Sequence, residues 1–229
     1  MKKFIACALM LASLFMLASC SLGNTSAGGG SAVSAVYAMY RNSDPTKTVV
    51  KSEQRFGDIT LKGEQSLVKG QVLYNGEWKD AVVYQWKEQQ RASVEEEVGP
   101  TKWVSGSMEF VDGRGVRKNL GKWEAGADFS PAIGQMALNL TASALSDVSY
   151  NEGAKTLTFT VAEKNLVTVF GEDTELEGNV AVTIVNDGAV VTDVILNYSA
   201  AATEELPSGK QITIHTTYTY DSESVELLK

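Results

Sequence analysis

The stretch Thr156-Leu157-Thr158-Phe159-Thr160-Val161 alternates threonine with large apolar residues. A period of two places the apolar side chains on one face of a β-strand and the threonines on the other. The same period recurs at Val180, Val182 and Ile184, and again in the last strand pattern, Lys210–Tyr220. There, Ile212, Ile214, Tyr218 and Tyr220 lie opposite Thr213, His215, Thr217 and Thr219. We therefore predict several strands that are each buried on one face.

Short turn signals separate these strand patterns. Asn-Gly and Asp-Gly favour tight hairpins because both residues tolerate a positive φ. The sequence predicts hairpins at Asn75-Gly76 (Gln71–Tyr74 with Ala81–Lys87), Asp112-Gly113 (Lys102–Val111 with Gly115–Lys122) and Asp187-Gly188. Consecutive hairpins indicate antiparallel pairing, and the chain shows no alternation of strands and helices that would favour a parallel sheet.

Two segments carry helical spacing instead. Within Ser31–Arg41, Val33, Val36, Tyr37 and Tyr40 share one helical face, and the pattern ends before Pro45. Ser130-Pro131 is a typical helix start, and the residues that follow it at helical spacing are Ile133, Met136, Ala137, Leu140 and Ala144. We expect this second helix either to pack on the sheet as core or to cover the mouth of an apolar groove.

The first 20 residues resemble the signal and lipobox of bacterial lipoproteins. Lys2 and Lys3 precede an apolar run that ends in Leu17-Ala18-Ser19-Cys20, and the run is shorter than the ~20 residues of a membrane-spanning helix. The resemblance implies cleavage after residue 19 and a diacylglyceryl group on Cys20. An ordinary signal peptide cleaved near Ala18 is the alternative.

This reading divides the chain into three parts. Residues 1–19 are the signal, residues 20–31 are a Gly/Ser-rich tether, and residues 32–229 are one globular domain. Because Cys7 lies in the signal and Cys20 carries the lipid, the domain contains no disulfide. The resemblance places the protein in the bacterial cell envelope, outside the cytoplasm, with the lipid on Cys20 as its membrane contact.

Charge and composition exclude several functions. Removing Lys2 and Lys3 leaves 18 basic residues against 28 acidic ones, a net charge of about −10. Such a surface repels phosphates, so we expect no nucleic-acid partner. We also expect no metal and no cofactor: the acidic run Glu95–Glu97 reads as a solvated loop, and His215 is the only histidine. His215 is expected on the surface, and no catalytic residue can be assigned.

The order of lipobox, tether, helix, antiparallel strands, mid-chain helix and hairpins resembles lipoprotein carriers of the LolA and LolB type and the mycobacterial LprG and LppX proteins. That resemblance covers roughly residues 32–220. It implies an α+β fold in which a curved, mostly antiparallel β-sheet, a half-barrel, packs on one or two α-helices.

The resemblance also implies an apolar or lipid-like ligand held in a groove between sheet and helix. The candidate groove residues are Trp86, Met136, Leu140 and Phe159. Two alternatives remain open at this stage: an envelope interaction or structural lipoprotein without a small ligand, and a hydrolase that works through carboxylates.

Overall fold

The computed structural model describes residues 29–56, 59–90, 102–111, 115–125, 137–172, 174–201, 209–220 and 226–228. Residues 1–28, with the predicted signal, Cys20 and most of the tether, lie outside the described residues, as does the acidic run Glu95–Glu97. None of the helices in the described ranges combines the length and the hydropathy needed to span a bilayer.

The described chain contains two α-helices, two short 3-10 turns and twelve strands. The helices are α1 (Gly29–Asn42) and α2 (Leu166–Phe170), and the 3-10 turns are Ala142–Ala144 and Glu163–Asn165. The strands are β1 (Lys47–Phe56), β2 (Ile59–Tyr74), β3 (Glu77–Gln90), β4 (Lys102–Val111), β5 (Gly115–Lys118), β6 (Glu124–Ala125), β7 (Leu145–Asn151), β8 (Thr156–Val161), β9 (Val180–Asn186), β10 (Val191–Ala200), β11 (Lys210–Thr219) and β12 (Glu226–Leu228). The mostly antiparallel sheet with few helices agrees with the predicted class.

Eleven of the described strands form one open sheet in the order β6-β5-β4-β3-β2-β1-β11-β10-β9-β8-β7, and β12 pairs with β2 outside this order. Each half of this order is a meander of consecutive neighbours, and the pairing of β1 with β11 joins the halves from Lys47↔Thr219 to Arg55↔Gln211. Every pairing is antiparallel except that of β12 with β2. We call the β1–β11 pairing the seam.

The main core lies on the face of β7–β11 that α1 covers, which we call the inner face. Its fully buried members include the apolar residues of the alternating strands, such as Leu157, Val182 and Ile184, together with Val36 of α1. At the seam, Tyr40 of α1 meets Tyr218 edge to face, with ring centroids 6.1 Å apart and the two hydroxyls 3.2 Å apart. The predicted first helix and its buried face are thus confirmed. Because α1 begins at Gly29, the last three residues of the predicted tether are helical.

The predicted hairpins are also confirmed. β2 and β3 pair up to Tyr74↔Glu77, and Asn75 and Gly76 between them both have a positive φ, 52° and 84°. β4 pairs with β5 and β9 pairs with β10, both antiparallel, as predicted. Of the Asp187-Gly188 turn residues, Gly188 has a positive φ of 101°, and residues 112–114 lie outside the described residues. β5 ends at Lys118, earlier than predicted.

The prediction of a second helix is wrong for the part of that segment that the structure describes. Residues 137–141 are not helical, Ala142–Ala144 form a single 3-10 turn, and β7 begins at Leu145. Leu138 and Leu140 are nevertheless buried, and the Asn139 N–H donates to the Val169 carbonyl at 2.8 Å. The segment therefore satisfies its backbone against α2 rather than within a helix of its own. Residues 130–136 lie outside the described residues.

Candidate functional site

A row of opposed side chains crosses the seam and continues beyond the core. Tyr218 of β11 lies opposite Thr48 of β1, Thr48 opposite Leu67 of β2, Leu67 opposite Tyr84 of β3, and Tyr84 opposite Met108 of β4. Directly opposed residues of antiparallel strands project from the same face. The whole row is therefore on the inner face, which α1 covers at its Tyr218 end.

Burial decreases along this row. Tyr218 and Thr48 are 3% and 5% exposed, whereas Leu67, Tyr84 and Met108 are half-buried. The principal sheet contacts of α1 are with β7, β8 and β10, in the other half of the sheet. The inner face thus changes from a closed core to a partly accessible apolar surface at β2.

Neighbouring rows extend that surface. Trp86 lies two residues beyond Tyr84 on the same face of β3, and Val82 and Phe110 lie opposite each other on the other side of Tyr84. Trp86 and Val82 are half-buried, and Phe110 is 9% exposed. We call the following set the inner patch: Leu67, Val82, Tyr84, Trp86, Met108 and Phe110.

A glycine lets the indole of Trp86 lie close to the sheet. Gly106 of β4 is directly opposite Trp86, and a Cβ at position 106 would lie 2.9 Å from three indole atoms, Cε2, Cζ2 and Nε1. Real Cβ atoms do not approach that closely, so any larger residue would displace the ring. The sequence therefore positions this aromatic surface through the choice of glycine on the neighbouring strand.

Tyr84 contributes a neutral polar group to the inner patch. Burial raises the pKa of Tyr84, and the nearby Glu88 carboxylate raises it further. The phenol therefore stays protonated at neutral pH and can donate a hydrogen bond. Gln65, Lys69 and Lys118 lie opposite Trp86, Val82 and Met108 on the same face, so polar groups border the apolar side chains. An apolar surface with polar groups at its border suits an amphiphilic ligand.

The four predicted groove residues do not form one surface. Leu140 and Phe159 are 7% and 2% exposed and belong to the closed core. Trp86 lies on β3, six strands away from the β8 strand of Phe159. Met136 lies outside the described residues. Sequence reasoning thus identified Trp86 as a groove residue but none of the other members of the inner patch. The alternation of Val82, Tyr84 and Trp86 along β3 was the signal that could have added two of them.

The outer face, opposite α1, is polar where it crosses the seam. His215 is on this face, as expected for a surface residue, and its Nε2 lies 2.8 Å from Asp193 Oδ1, which also accepts a hydrogen bond from Thr217 at 3.0 Å. Burial acts to raise the pKa of Asp193, but the hydrogen bonds from His215 and from threonine hydroxyls lower it by more. His215 is therefore engaged with a carboxylate on the outer face, away from the inner patch.

Comparisons with known proteins give little further information. No protein-family model matches the chain, and no curated protein matches it. Among solved structures, the chain is similar to a DUF1329 family protein from Desulfovibrio piger, with 9% identity over 85% of this chain and 93% of that one. The TM-score is 0.27, so this likeness identifies neither a family nor a function.

Proposed function

We propose that this chain is a lipid-anchored lipoprotein of the bacterial cell envelope that holds an apolar, acyl-type ligand on the inner patch. In this proposal the sheet curves as a half-barrel around α1, and the ligand lies over β2–β4 beside the helix. The observation that carries the proposal is the continuous inner row, which passes from buried Tyr218 to half-buried Tyr84 and Met108.

Apolar burial supplies the driving force for such binding. Each Å² of apolar surface removed from water contributes roughly 25 cal/mol, so side chains that are already half-buried still have apolar surface to give to a ligand. The inner patch combines three aromatic rings and a methionine, and methionine adapts to irregular apolar shapes. A solid core would place these side chains out of reach, as it does Leu157 and Phe159.

The ligand proposal is tested with the chain from Ser21 to Lys229, made without signal or lipid. A fluorescent fatty acid should bind it saturably, and a brominated fatty acid should quench Trp86. Trp86→Ala and Met108→Lys should each weaken uptake. Trp103→Ala is the matched control, since Trp103 is an exposed tryptophan that lies opposite Gln89, on the outer face.

Two results would contradict the proposal. One is the absence of saturable uptake by protein with a folded circular-dichroism spectrum. The other is an equal loss of uptake in Trp103→Ala and Trp86→Ala, which would indicate nonspecific binding to exposed indoles.

The anchor is tested separately in cells. Two acyl chains on one residue are sufficient for stable membrane attachment, whereas a single chain is marginal. Cys20→Ser should therefore change processing and release the protein from the membrane fraction. A variant that remains fully membrane-bound and is processed as before would refute the lipid anchor, whatever the ligand assay shows.

A further inference from the structure

The outer face carries a polar row that crosses the first half of the sheet. Trp103 of β4 lies opposite Gln89 of β3, the side-chain oxygen of Gln89 accepts a hydrogen bond from the Lys62 N–H of β2, and Lys62 lies opposite Glu53 of β1. A depression of about 640 Å³ is lined by Trp103, Lys62 and Glu53 of this row, together with Lys51 and Lys87. At its end the Trp103 side chain is 48% exposed.

The same row continues across the seam into the second half of the sheet. Glu53 lies opposite Thr213 of β11, Thr213 opposite Asn197 of β10, Asn197 opposite Ala181 of β9, and Ala181 opposite Thr160 of β8. A second depression of about 520 Å³ is lined by Thr213, Asn197, Ala181 and Thr160. Thr213 belongs to both depressions, which together we call the trough. Seven strand spacings separate Trp103 from Thr160, so the trough is roughly 34 Å long.

The chemistry of the trough is that of a hydroxyl-binding surface. A polar outer face is ordinary for an antiparallel sheet, but here it contains two depressions and carries side-chain amides and hydroxyls that both donate and accept hydrogen bonds. The Thr213 hydroxyl donates to Asn197 Oδ1 at 2.7 Å, which fixes the amide in one orientation. The exposed indole of Trp103 offers a flat apolar surface beside these polar groups.

The charges of the trough leave one cation without a carboxylate. Lys62 pairs with Glu53 at 3.7 Å and Lys87 pairs with Glu64 at 3.2 Å. Lys51 lies between Glu64 and His215 on the neighbouring strands, yet it forms no ion pair with any residue that the structure describes. A ligand carboxylate would complement Lys51 on a chain that is otherwise strongly acidic.

We propose that this trough binds an extended glycan whose pyranose rings carry carboxylates. One ring stacks on the Trp103 indole, ring hydroxyls hydrogen-bond to Asn197 and Thr213, and a ring carboxylate pairs with Lys51. The site is on the opposite face of the sheet from the inner patch and does not depend on a lipid ligand.

The test uses the full lipidated chain in a polyoxyethylene detergent, with hexagalacturonate as the carboxylated probe and cellohexaose as the neutral one, followed by calorimetry. Hexagalacturonate should bind saturably and more tightly than cellohexaose. Trp103→Ala should weaken it about tenfold, the loss expected for one stacked ring. Lys51→Gln should weaken hexagalacturonate alone and reduce its sensitivity to salt.

Trp78→Ala is the matched control, because Trp78 is a similarly exposed tryptophan, 46%, at the other end of β3. It should leave both affinities unchanged. No saturable binding of hexagalacturonate, tighter binding of cellohexaose, or an equal loss in Trp78→Ala and Trp103→Ala would each overturn the proposal. Fatty-acid uptake measured separately distinguishes these outcomes from a failure of the inner patch.

Discussion

Replacing Arg117 by methionine should destabilise the protein strongly, because it leaves a buried carboxylate without its counter-ion. Glu109 of β4 and Arg117 of β5 lie opposite each other on the outer face, and the Arg117 Nε donates to Glu109 Oε2 at 2.9 Å. Their side chains are 1% and 11% exposed. The guanidinium also lies 4.8 Å from the ring centre of Trp123, which meets Tyr74 edge to face.

The expected loss follows from this burial. Removing one partner of a buried ion pair costs about 3–5 kcal/mol, because the remaining charge is left in a low-dielectric site. That is a large share of the ~5–15 kcal/mol by which a domain is normally stable. Replacing both partners, in Glu109→Leu with Arg117→Met, should return the free energy of unfolding to within about 1 kcal/mol of the wild-type value.

The structure gives a reason why the double variant should recover. Within the described residues, Glu109 Oε1 and an Arg117 Nη atom are buried without a hydrogen-bond partner. The native pair therefore carries an unsatisfied acceptor and an unsatisfied donor, each of which is destabilising by about 1–3 kcal/mol. The neighbouring apolar cluster of Val72, Ala81 and Val111 can extend over two apolar replacements.

The assay is urea unfolding at pH 7, followed by tryptophan fluorescence and by far-ultraviolet circular dichroism. Lys69→Met is the matched control, since Lys69 pairs with Asp44 at the surface and such exposed pairs contribute about 0–1 kcal/mol. A loss below about 1 kcal/mol in Arg117→Met would refute the reasoning, as would a double variant that is no more stable than the single one.

Three further predictions concern protonation and the inner patch. Because the pKa of Asp193 is lowered in the folded protein, its ionised form stabilises the fold at pH values above the unfolded-state pKa of about 3.9, and this contribution is lost as pH falls through the folded-state pKa. The urea midpoint of Asp193→Asn should therefore fall less steeply than that of wild type between about pH 5 and 2. Burial raises the pKa of Tyr40, so the stabilisation that its neutral phenol gives the fold is fully present below about pH 10 and is lost as pH rises through the folded-state pKa. Tyr40→Phe should therefore show a shallower loss of stability than wild type in an alkaline titration followed by circular dichroism. Gly106→Ala should displace the Trp86 indole, which would shift the tryptophan fluorescence and weaken fatty-acid uptake severalfold. An unchanged emission spectrum would count against the close packing of Trp86 on Gly106.

The local parts of this fold could be predicted from the sequence. A hairpin such as that at Asn75-Gly76 depends on two adjacent residues that accept a positive φ, and this requirement can be read directly. The alternating threonines of β8 likewise identified the buried face, since Leu157, Phe159 and Val161 are at most 2% exposed.

The second helix could not be predicted correctly because two periods were present in the same residues. Leu140 and Ala144 fit helical spacing, yet Leu138 and Leu140 also fit the alternation of an extended chain, and both are buried. The extended conformation is stabilised by a contact that is distant in the sequence, the hydrogen bond from the Asn139 N–H to the Val169 carbonyl. The short helix α2 that supplies this contact is only five residues long, too short for a periodic signal.

The candidate site depended on register between strands, which the sequence does not specify. Alternation along β3 puts Tyr84 and Trp86 on one face of that strand, but only the pairing between strands brings Leu67 and Met108 beside them. Phe159 has an equally apolar pattern and is closed in the core, since α1 packs on its half of the sheet.

The seam has a consequence for how the chain folds. Each meander can form from neighbouring hairpins, whereas the seam joins Lys47 to Thr219, residues separated by almost the whole described chain. Pairings of such high contact order form slowly, because the entropy of closing a long loop is lost before any contact compensates for it. The pairing of β11, which lies near the C-terminal end of the described chain, therefore controls when β1 acquires its second neighbour. Until then that strand presents an unpaired edge, the state in which intermolecular pairing and aggregation compete with folding.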